Sequence, residues 1–398
     1  MRTSNRINRR RGSVLAYVAV AMTAFAGFVS LAVDWGHVRY VKTQLQGAAD
    51  AGARHGAVAL LSDYTQAASA AATAAGYNTA DAAPVSISQT ADVQLGTWHN
   101  STFTLLTGTA AARANAIRVY ARHTVAAGNP VQLSFASLVG KSTCDVSASA
   151  IAVPTPVGYG LVGLNYIQMG GNSLDSYWSP NGYTNGGGFT AVASNGPITL
   201  GGNSQVFGNA NPGVGYTVSN PSAVTGSTDP LTSPLVYPKA SPTAYSASNN
   251  NSAIPASYMS GSSLALSGSQ SLTLPGGTYY FNNVSIGGSA SISFSGPATI
   301  YVYGSIDLSG GANTTSNLPG NLNIIVGPDT SGNPPGTISL KGGSALYANI
   351  YAPQSDITMV GSGDIYGSVV GQSITNKGTS SVHYDVAARG ILNVKLVQ

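Results

Sequence analysis

The first pattern along the chain is a long run of apolar and small residues close to its N-terminus. Residues 12–33 contain no charged side chain. A helix of about 20 mostly apolar residues is long enough to cross a hydrocarbon layer of about 30 Å. We therefore predict a transmembrane helix over residues 13–33, with one crossing of the membrane.

Charges on either side of this run predict its orientation. Arg9, Arg10 and Arg11 precede the run, and Asp34 follows it. Because lysine and arginine are retained on the cytoplasmic side, residues 1–12 are predicted to be a cytoplasmic basic tail. The body is then expected outside the bacterial inner membrane, in the periplasm or beyond it.

Two cleavage sites are possible within or beside this run. Ala24 and Ala26 flank Phe25 in the small-x-small form that signal peptidase cuts, although the apolar run continues past them without a polar break. Prepilin-type cleavage after Gly12 is the second alternative, but Tyr17 stands where that chemistry usually requires glutamate. We favour an uncleaved anchor and leave both alternatives open.

After Asp34 the apolar positions return at intervals of three and four residues, which indicates an amphipathic helix. The predicted packing face is made of small residues and one leucine: Leu45, Ala48, Ala49, Gly52 and Ala53. Small residues allow a neighbouring element to approach closely. That element is either the core of the same chain or a helix of a neighbouring subunit. A second Ala-rich stretch, residues 65–76, is expected to continue the helix after a bend.

Short alternating segments follow, each bounded by glycine, proline or asparagine, and they predict strands of an antiparallel sheet. The segments are residues 85–88, 93–98, 116–122, 131–135 and 146–153. A long helix followed by a small sheet predicts a pilin-like α+β domain over residues 34–156.

From residue 157 onward, apolar clusters of three to five residues alternate with glycine, serine, threonine and asparagine. Many short strands with tight turns are typical of this spacing. We predict a mainly β domain over residues 157–398, in which a parallel β-helix explains the imperfect repeats best. A β-sandwich is the alternative. Residues 209–262, rich in proline, serine and asparagine, are expected to form a loop-rich excursion.

Composition narrows the choice of partners. Only 8% of the residues are charged, and every acidic residue is aspartate. The sequence pI of about 9.0 comes from five arginines in the first eleven positions; without them the net charge of +4 becomes −1. The basic character is therefore local, and no nucleic acid partner is expected. A single cysteine, Cys144, excludes an intrachain disulfide and is expected to be buried.

The N-terminal segment resembles that of TadG-like proteins of the Tad/Flp pilus-assembly system. In that family the anchor leads directly into an aspartate-containing turn and a helix of the "LQxAADAAA" type. The matching residues here are Asp34, Leu45, Gln46, Ala48, Ala49, Asp50 and Ala51. The resemblance implies a pilus-assembly component whose partners are the lipid bilayer and Tad/Flp pilus-assembly proteins or pseudopilins.

The C-terminal segment from "LYANIYAP" to "HYD" resembles a β-helical module of pilus-associated surface proteins. Longer TadG-like proteins often add a metal-binding domain with an Asp-x-Ser-x-Ser motif. The nearest sequence here begins at Asp307 and lacks the second serine. We therefore expect neither a metal site nor any other cofactor.

Enzyme chemistry has little support in the second half. Asp356 and Asp364 are the candidate carboxylates, with Lys341 beside them, but turn capping explains such aspartates better. His383 and Asp385 share one face of a predicted strand and are interpreted as a structural pair. The expected function is non-enzymatic. An adhesive or carbohydrate-binding surface protein is the alternative, with surface polysaccharide as a further candidate partner, because the chain has 21 tyrosines.

Overall fold

The computed structural model describes residues 11–99, 101–155, 158–184, 186–329, 331–389 and 393–397. Helix α1 (Arg11–Ser62) runs for 52 residues, so the apolar run and the first Ala-rich segment are one helix. It ends because Asp63 is extended and its carboxylate accepts a hydrogen bond from the backbone N–H of Thr65. Helix α2 (Ala67–Gly76) follows this bend, as predicted.

An antiparallel sheet packs against both helices. The first strands are β1 (Thr79–Ala80), β2 (Ala83–Pro84), β3 (Val93–His99), β4 (Thr102–Leu105), β5 (Ala116–His123), β6 (Val131–Gln132), β7 (Thr143–Cys144) and β8 (Val146–Thr155). Strands β4, β3, β5 and β8 pair in that order. Their alternating apolar side chains share one core with the Ala-rich helices. The helix-and-sheet arrangement expected from the sequence is therefore confirmed.

The predicted strands agree with this sheet in part. Segments 93–98, 116–122 and 146–153 are confirmed as β3, β5 and β8. The strand predicted at 85–88 is wrong: its apolar side chains enter the same core as α2, but its backbone is not paired as a strand. The strand predicted at 131–135 stops at Gln132, because the next residues turn toward α1.

A mainly β body follows, also as predicted. Its strands are β9 (Leu161–Met169), β10 (Ser173–Tyr177), β11 (Thr190–Ser194), β12 (Ile198–Leu200), β13 (Gln205–Val206), β14 (Gly208–Asn211), β15 (Met259–Ser260), β16 (Ser263–Leu266), β17 (Ser271–Leu274), β18 (Gly277–Phe281), β19 (Val284–Ile286), β20 (Ser291–Phe294), β21 (Ala298–Val302), β22 (Ile306–Leu308), β23 (Gly311–Thr314), β24 (Leu322–Val326), β25 (Ile338–Leu340), β26 (Leu346–Met359), β27 (Ile365–Asn376), β28 (Val382–Asp385) and β29 (Asn393–Leu396).

Among the described residues of this body, strand pairing is parallel except for the short β15–β16 pair, the pairing of β29 with β8 and the isolated bridge between Ser176 and Gly187. Leu272 pairs with Ile292, and Ile292 pairs with Ala312, a step of 20 residues each time. Parallel steps of 20, 22 and 32 residues join β16, β19, β22 and β25, and steps of 21 and 24 residues join β18, β21 and β24. Stacked inward residues form one continuous apolar core. A β-sandwich would instead be built from antiparallel sheets.

The order of these stacked segments in space differs from their order in the chain. Strand β9 pairs with β11 and β12 on one side and with β27 on the other. Strand β10 likewise pairs with β28. The first segment of the body therefore lies between later segments, and the last segment of the body stacks directly on the first.

Residues 228–258 form a segment that we call the strap. It runs alongside one row of stacked strands, which includes β11, β24, β21 and β18. Asn195 exchanges two hydrogen bonds with Leu235. Further along, Tyr245 stacks on Tyr301 with 4.0 Å between ring centroids, and Asn251 bonds the backbone of Tyr280. The strap lies within the excursion predicted at 209–262.

The C-terminal strand lies in the first sheet. Strand β29 pairs antiparallel with β8, and Lys395 faces Val153. The boundaries drawn from the sequence assign this strand to the unit 157–398, whereas its pairing assigns it to the sheet of the unit 34–156. Other contacts also join the two parts: the Asn181 side-chain amide donates a hydrogen bond to the Ser62 carbonyl at 2.9 Å.

Close packing of α1 generates the first prediction. A Cβ atom on Gly56 would lie 2.5 Å from Ile117 Cδ1 and 3.0 Å from the Ala67 carbonyl oxygen. Gly56→Ala should therefore lower the free energy of unfolding by about 1–3 kcal/mol through overpacking. The measurement is thermal unfolding of the full chain in detergent, followed by circular dichroism.

The matched control is Gly47→Ala on the same helix. Nothing lies within 4 Å of a Cβ at Gly47, so the substitution should stabilise the helix by about 0.5–1 kcal/mol. Equal effects of the two substitutions would contradict the packing described for α1.

Candidate functional site: the exposed anchor and its junction with the body

The N-terminal part of α1 is apolar and unpacked. Leu15, Tyr17, Phe25, Phe28 and Leu31 are each between 64% and 77% exposed. Among the described helices, α1 is the one that is long and apolar enough to cross a membrane. Each large apolar side chain left in water forgoes about 1.5–3 kcal/mol of burial free energy. This surface therefore requires an apolar environment that the chain itself does not supply.

Asp34 marks the point where the body begins to cover the helix. Val33 is 51% exposed, whereas Asp34 is 5% exposed. The Asp34 carboxylate accepts backbone hydrogen bonds from Ser134 at 3.0 Å, Phe135 at 3.1 Å and Ala136 at 2.6 Å. These three donors open the 3₁₀ turn Ala136–Val139, whose first N–H groups lack partners inside the turn. A buried carboxylate and three unpaired donors thus satisfy each other.

A second contact holds the helix one turn later. His37 Nε2 lies 2.8 Å from Asp81 Oδ1, and the backbone N–H of Asp81 donates to Gln44 Oε1. Asp81 and Ala82 have φ of 51° and 63°, which places them in the left-handed region of a tight turn. Sequence reasoning missed this contact, because nothing in the sequence aligns the turn with His37.

The other predicted topology residues are not all covered by the structure. Arg9 and Arg10 lie outside the described residues. Arg11 begins α1, and its side chain is not described. The role of the three arginines therefore stays a prediction.

The predicted packing face is occupied by the chain itself. Leu45, Ala48, Ala49 and Ala53 are fully buried and share the core of the antiparallel sheet. A Cβ at Gly52 would lie 3.0 Å from the Ala71 carbonyl oxygen of α2. This placement corresponds to the core-facing alternative, so a contact with another subunit would have to use the opposite side of α1.

A buried charged cluster lies where the last segment of the body meets the first. His383 Nδ1 is 2.6 Å from Asp175 Oδ1, and both side chains are less than 5% exposed. His383 Nε2 is 3.5 Å from Asp364 Oδ2, at the outer limit for a hydrogen bond. Tyr183 donates its hydroxyl to Asp175 Oδ2 at 2.9 Å and covers the cluster.

The charges of this cluster shift its pKa values. Burial alone would lower the pKa of His383, but the contacts with Asp175 and Asp364 outweigh burial and raise it to about 9. Burial opposes ionisation of Asp364 too, yet the hydrogen bonds from His383 and Ser381 lower its pKa overall. The cluster is therefore an ion pair near neutral pH. It joins strands that are 208 residues apart in the chain, a proximity that sequence spacing could not indicate.

His383 and Asp385 each bind the segment opposite them. Asp385 accepts hydrogen bonds from the backbone N–H groups of Ser179 and Ala387. The partner of His383 is Asp175, as described above. This arrangement agrees with the structural interpretation of the two side chains as closing the last turn of the body.

The candidate catalytic carboxylates have separate partners. Lys341 forms an ion pair with Asp307 at 2.7 Å. Asp364 contacts His383, and Asp356 is exposed on a strand. In the part of the chain that the structure describes, no group of three or more histidine, cysteine or acidic residues could hold a metal ion. Cys144 is half-buried, so the expectation of full burial was wrong.

Comparison with known families identifies the first part of the chain. The Tad family, described as Flp pilus-assembly TadE/G-like, matches residues 12–59. The Tad_C family, described as Tad-like Flp pilus-assembly, matches residues 46–152. Residues 12–152 are therefore similar to Flp pilus-assembly proteins of the TadE/G-like and Tad-like kinds. This confirms the resemblance seen in the sequence, and the TadG-like part contains both the anchor and the Asp34 junction.

A later segment of the chain matches a different family. A family described as a domain of unknown function, DUF7305, matches residues 282–391. The match includes His383 and Asp364 but assigns them no role. No curated protein and no solved structure matches the chain significantly.

The Asp34 junction generates the second prediction. Asp34→Asn removes the charge that holds three backbone donors, so the turn that follows Ser134 should open more often. Limited trypsin digestion should then cut severalfold faster after the exposed Lys141. Asp50→Asn is the control, because Asp50 accepts a side-chain hydrogen bond from Gln46 within α1. An unchanged cutting rate in Asp34→Asn would contradict the role of the Asp34 carboxylate in holding this turn.

The His383 cluster generates the third prediction. Because the pKa of His383 rises from 6.5 to about 9 on folding, its stabilisation is complete below pH 6.5 and is lost as pH rises through 9. His383→Gln should therefore be less stable than the parent at pH 6, and the difference should shrink by about 3 kcal/mol at pH 10. Thermal unfolding at several pH values measures it.

His55→Gln serves as the control, because His55 is exposed on α1. It measures the effect of the same substitution at a position outside the cluster. A stability difference for His383→Gln that stays constant from pH 6 to pH 10 would show that His383 is not charged by its aspartate neighbours.

Proposed function

We propose that the chain is a non-enzymatic, membrane-anchored component of Tad/Flp pilus assembly. Residues 13–33 cross the bacterial inner membrane, residues 1–12 stay in the cytoplasm, and the body lies in the periplasm or outside the cell. The observation that carries this proposal is the exposed apolar half of α1 within a TadG-like segment. The orientation is supported by the arginines before the run and by the buried Asp34 after it.

Pilus or pseudopilin partners would contact the outer side of α1. The inner side is filled by the chain's own sheet. Gly36 and Gly47, about three helical turns apart and therefore on one side of α1, have nothing within 4 Å of a Cβ position, so a neighbouring helix could approach closely there.

The fold of the body is part of the same proposal. We infer a parallel β-helix over residues 157–398, supported by the 20-residue steps between parallel strands and by the single stacked core. The pilin-like unit 34–156 would present this β-helix on the outer side of the membrane. In this arrangement β29 ties the two units together.

The alternative function, adhesion or carbohydrate binding, needs aromatic rings that are free to stack on sugars. Several rings instead stack on one another: Tyr347 on Tyr366 at 4.4 Å and Tyr280 on Tyr303 at 5.1 Å. The strap also covers Tyr301 and Tyr351. These contacts favour a structural use of tyrosine, and binding to surface polysaccharide stays the second candidate.

The anchor is tested by placing charge in it. The double substitution Ala21→Arg and Phe25→Arg should cost about 2.5–3.5 kcal/mol per arginine in the bilayer centre. The protein should then leave the membrane fraction on extraction with alkaline carbonate. Thr43→Arg with Gly47→Arg is the control, because both positions are exposed beyond the anchor. Equal retention of both variants would contradict a transmembrane anchor.

Orientation and processing need two further measurements. Alkaline phosphatase fused to the C-terminus should be active, because it folds only outside the cytoplasm; an inactive fusion would reverse the proposed topology. N-terminal sequencing of the membrane-bound protein should start at Met1. A start at Ser13 would indicate prepilin-type cleavage, and a start at Gly27 would indicate release by signal peptidase.

A further inference from the structure

The turn bound to Asp34 lies beside the last turn of the apolar run. The Cα–Cβ bond of a helical residue tilts toward the helix N-terminus, so the Asp34 carboxylate points back along the anchor. Ser30, one helical turn before Asp34, is half-buried, and its hydroxyl donates to the Gly27 carbonyl of the same helix. The bonds to Asp34 therefore hold the turn directly beside the end of the stretch assigned to the membrane.

The residues around this contact combine aromatic rings with positive charge. Phe135, whose N–H binds Asp34, is 42% exposed. Trp35 is 60% exposed, and the guanidinium of Arg39 lies 4.8 Å from its ring centroid. Lys141 is exposed and returns to the same turn, since its backbone N–H donates to the Ala136 carbonyl. Aromatic rings and basic side chains together are typical of the boundary between lipid and water.

We propose that the turn formed by residues 133–137 is a second membrane contact, which inserts Phe135 into the headgroup region beside the anchor. This inference rests on the proposed function, because it needs residues 13–33 to be in the bilayer. The occupant of the surface is lipid, since the exposed Phe135 belongs to a turn held at Asp34, the residue that directly follows the apolar run. Lys141 and Arg39 then face the phosphates of the headgroups.

Two contacts would fix the body on the membrane more firmly than one helix can. A single spanning helix leaves tilt and rotation to its neighbours and to interfacial anchors. The bond between Asp34 and the turn holds Phe135 at a constant level relative to α1. The body would therefore keep one orientation toward the membrane plane.

The test uses the full chain in vesicles of phosphatidylcholine and phosphatidylglycerol. Cys144→Ser leaves no native thiol, so single cysteines can carry an environment-sensitive fluorophore. The probe site is Phe135→Cys. Leu31→Cys is the anchor control, and Val236→Cys on the strap, 89% exposed, is the aqueous control. Quenching is measured with nitroxide-labelled lipid and, separately, with aqueous iodide.

The expected result is lipid quenching at position 135 about twofold or more above that at position 236, with matching protection from iodide. Iodide access at 135 equal to that at 236, with Leu31→Cys still quenched by lipid, would overturn the second contact and leave the anchor intact. Shielding at 135 from both quenchers would assign the surface to a second copy of the chain and overturn the lipid assignment. Absence of lipid quenching at Leu31→Cys would remove the anchor and this inference together.

Discussion

Everything in this molecule depends on one helix changing its surroundings at Asp34 without a break in its backbone. On one side of that residue α1 presents apolar side chains outward, and on the other it buries alanines against its own sheet. A carboxylate at such a boundary must find donors, because an unpaired buried charge is costly. The turn at 134–136 supplies three, and the same bonds satisfy donors that the turn could not satisfy itself.

The body is held by a different principle. Parallel strands stack through their backbones, and the inward side chains of one layer rest on those of the next. Such stacking joins each layer only to its neighbours and does not by itself bring the first segment of the body to the last. Here the pairing of β9 with β27 and the buried contact of His383 with Asp175 bring the two ends of the body together. Strand β29 then returns the chain to the sheet against which the Ala-rich part of α1 packs.

The sequence was most informative where the physics is local. The uncharged run, the Ala-rich periodicity and strands β3, β5 and β8 each follow from neighbouring residues, and the structure contains all of them. The segment 85–88 was misjudged because alternation of buried side chains does not require a partner strand. The sequence marks Asp34 as the charge that follows the apolar run. It does not indicate the hydrogen-bond donors of Asp34, because they lie 100 residues away in the chain. The contact between Asp175 and His383 joins positions whose proximity depends on how the whole body stacks, which no short pattern encodes.

The position of β9 inside the stack has a consequence for biogenesis. A strand whose two neighbours come from opposite ends of the body keeps one edge unpaired until the final neighbour has been made. Translation delivers residues 161–169 long before residues 365–376. The early layers must therefore wait, exposed along one edge, until nearly the whole polypeptide has emerged. The body can therefore be completed only when nearly the whole chain has been made, and a truncated product would retain an open edge that is prone to pair with other chains.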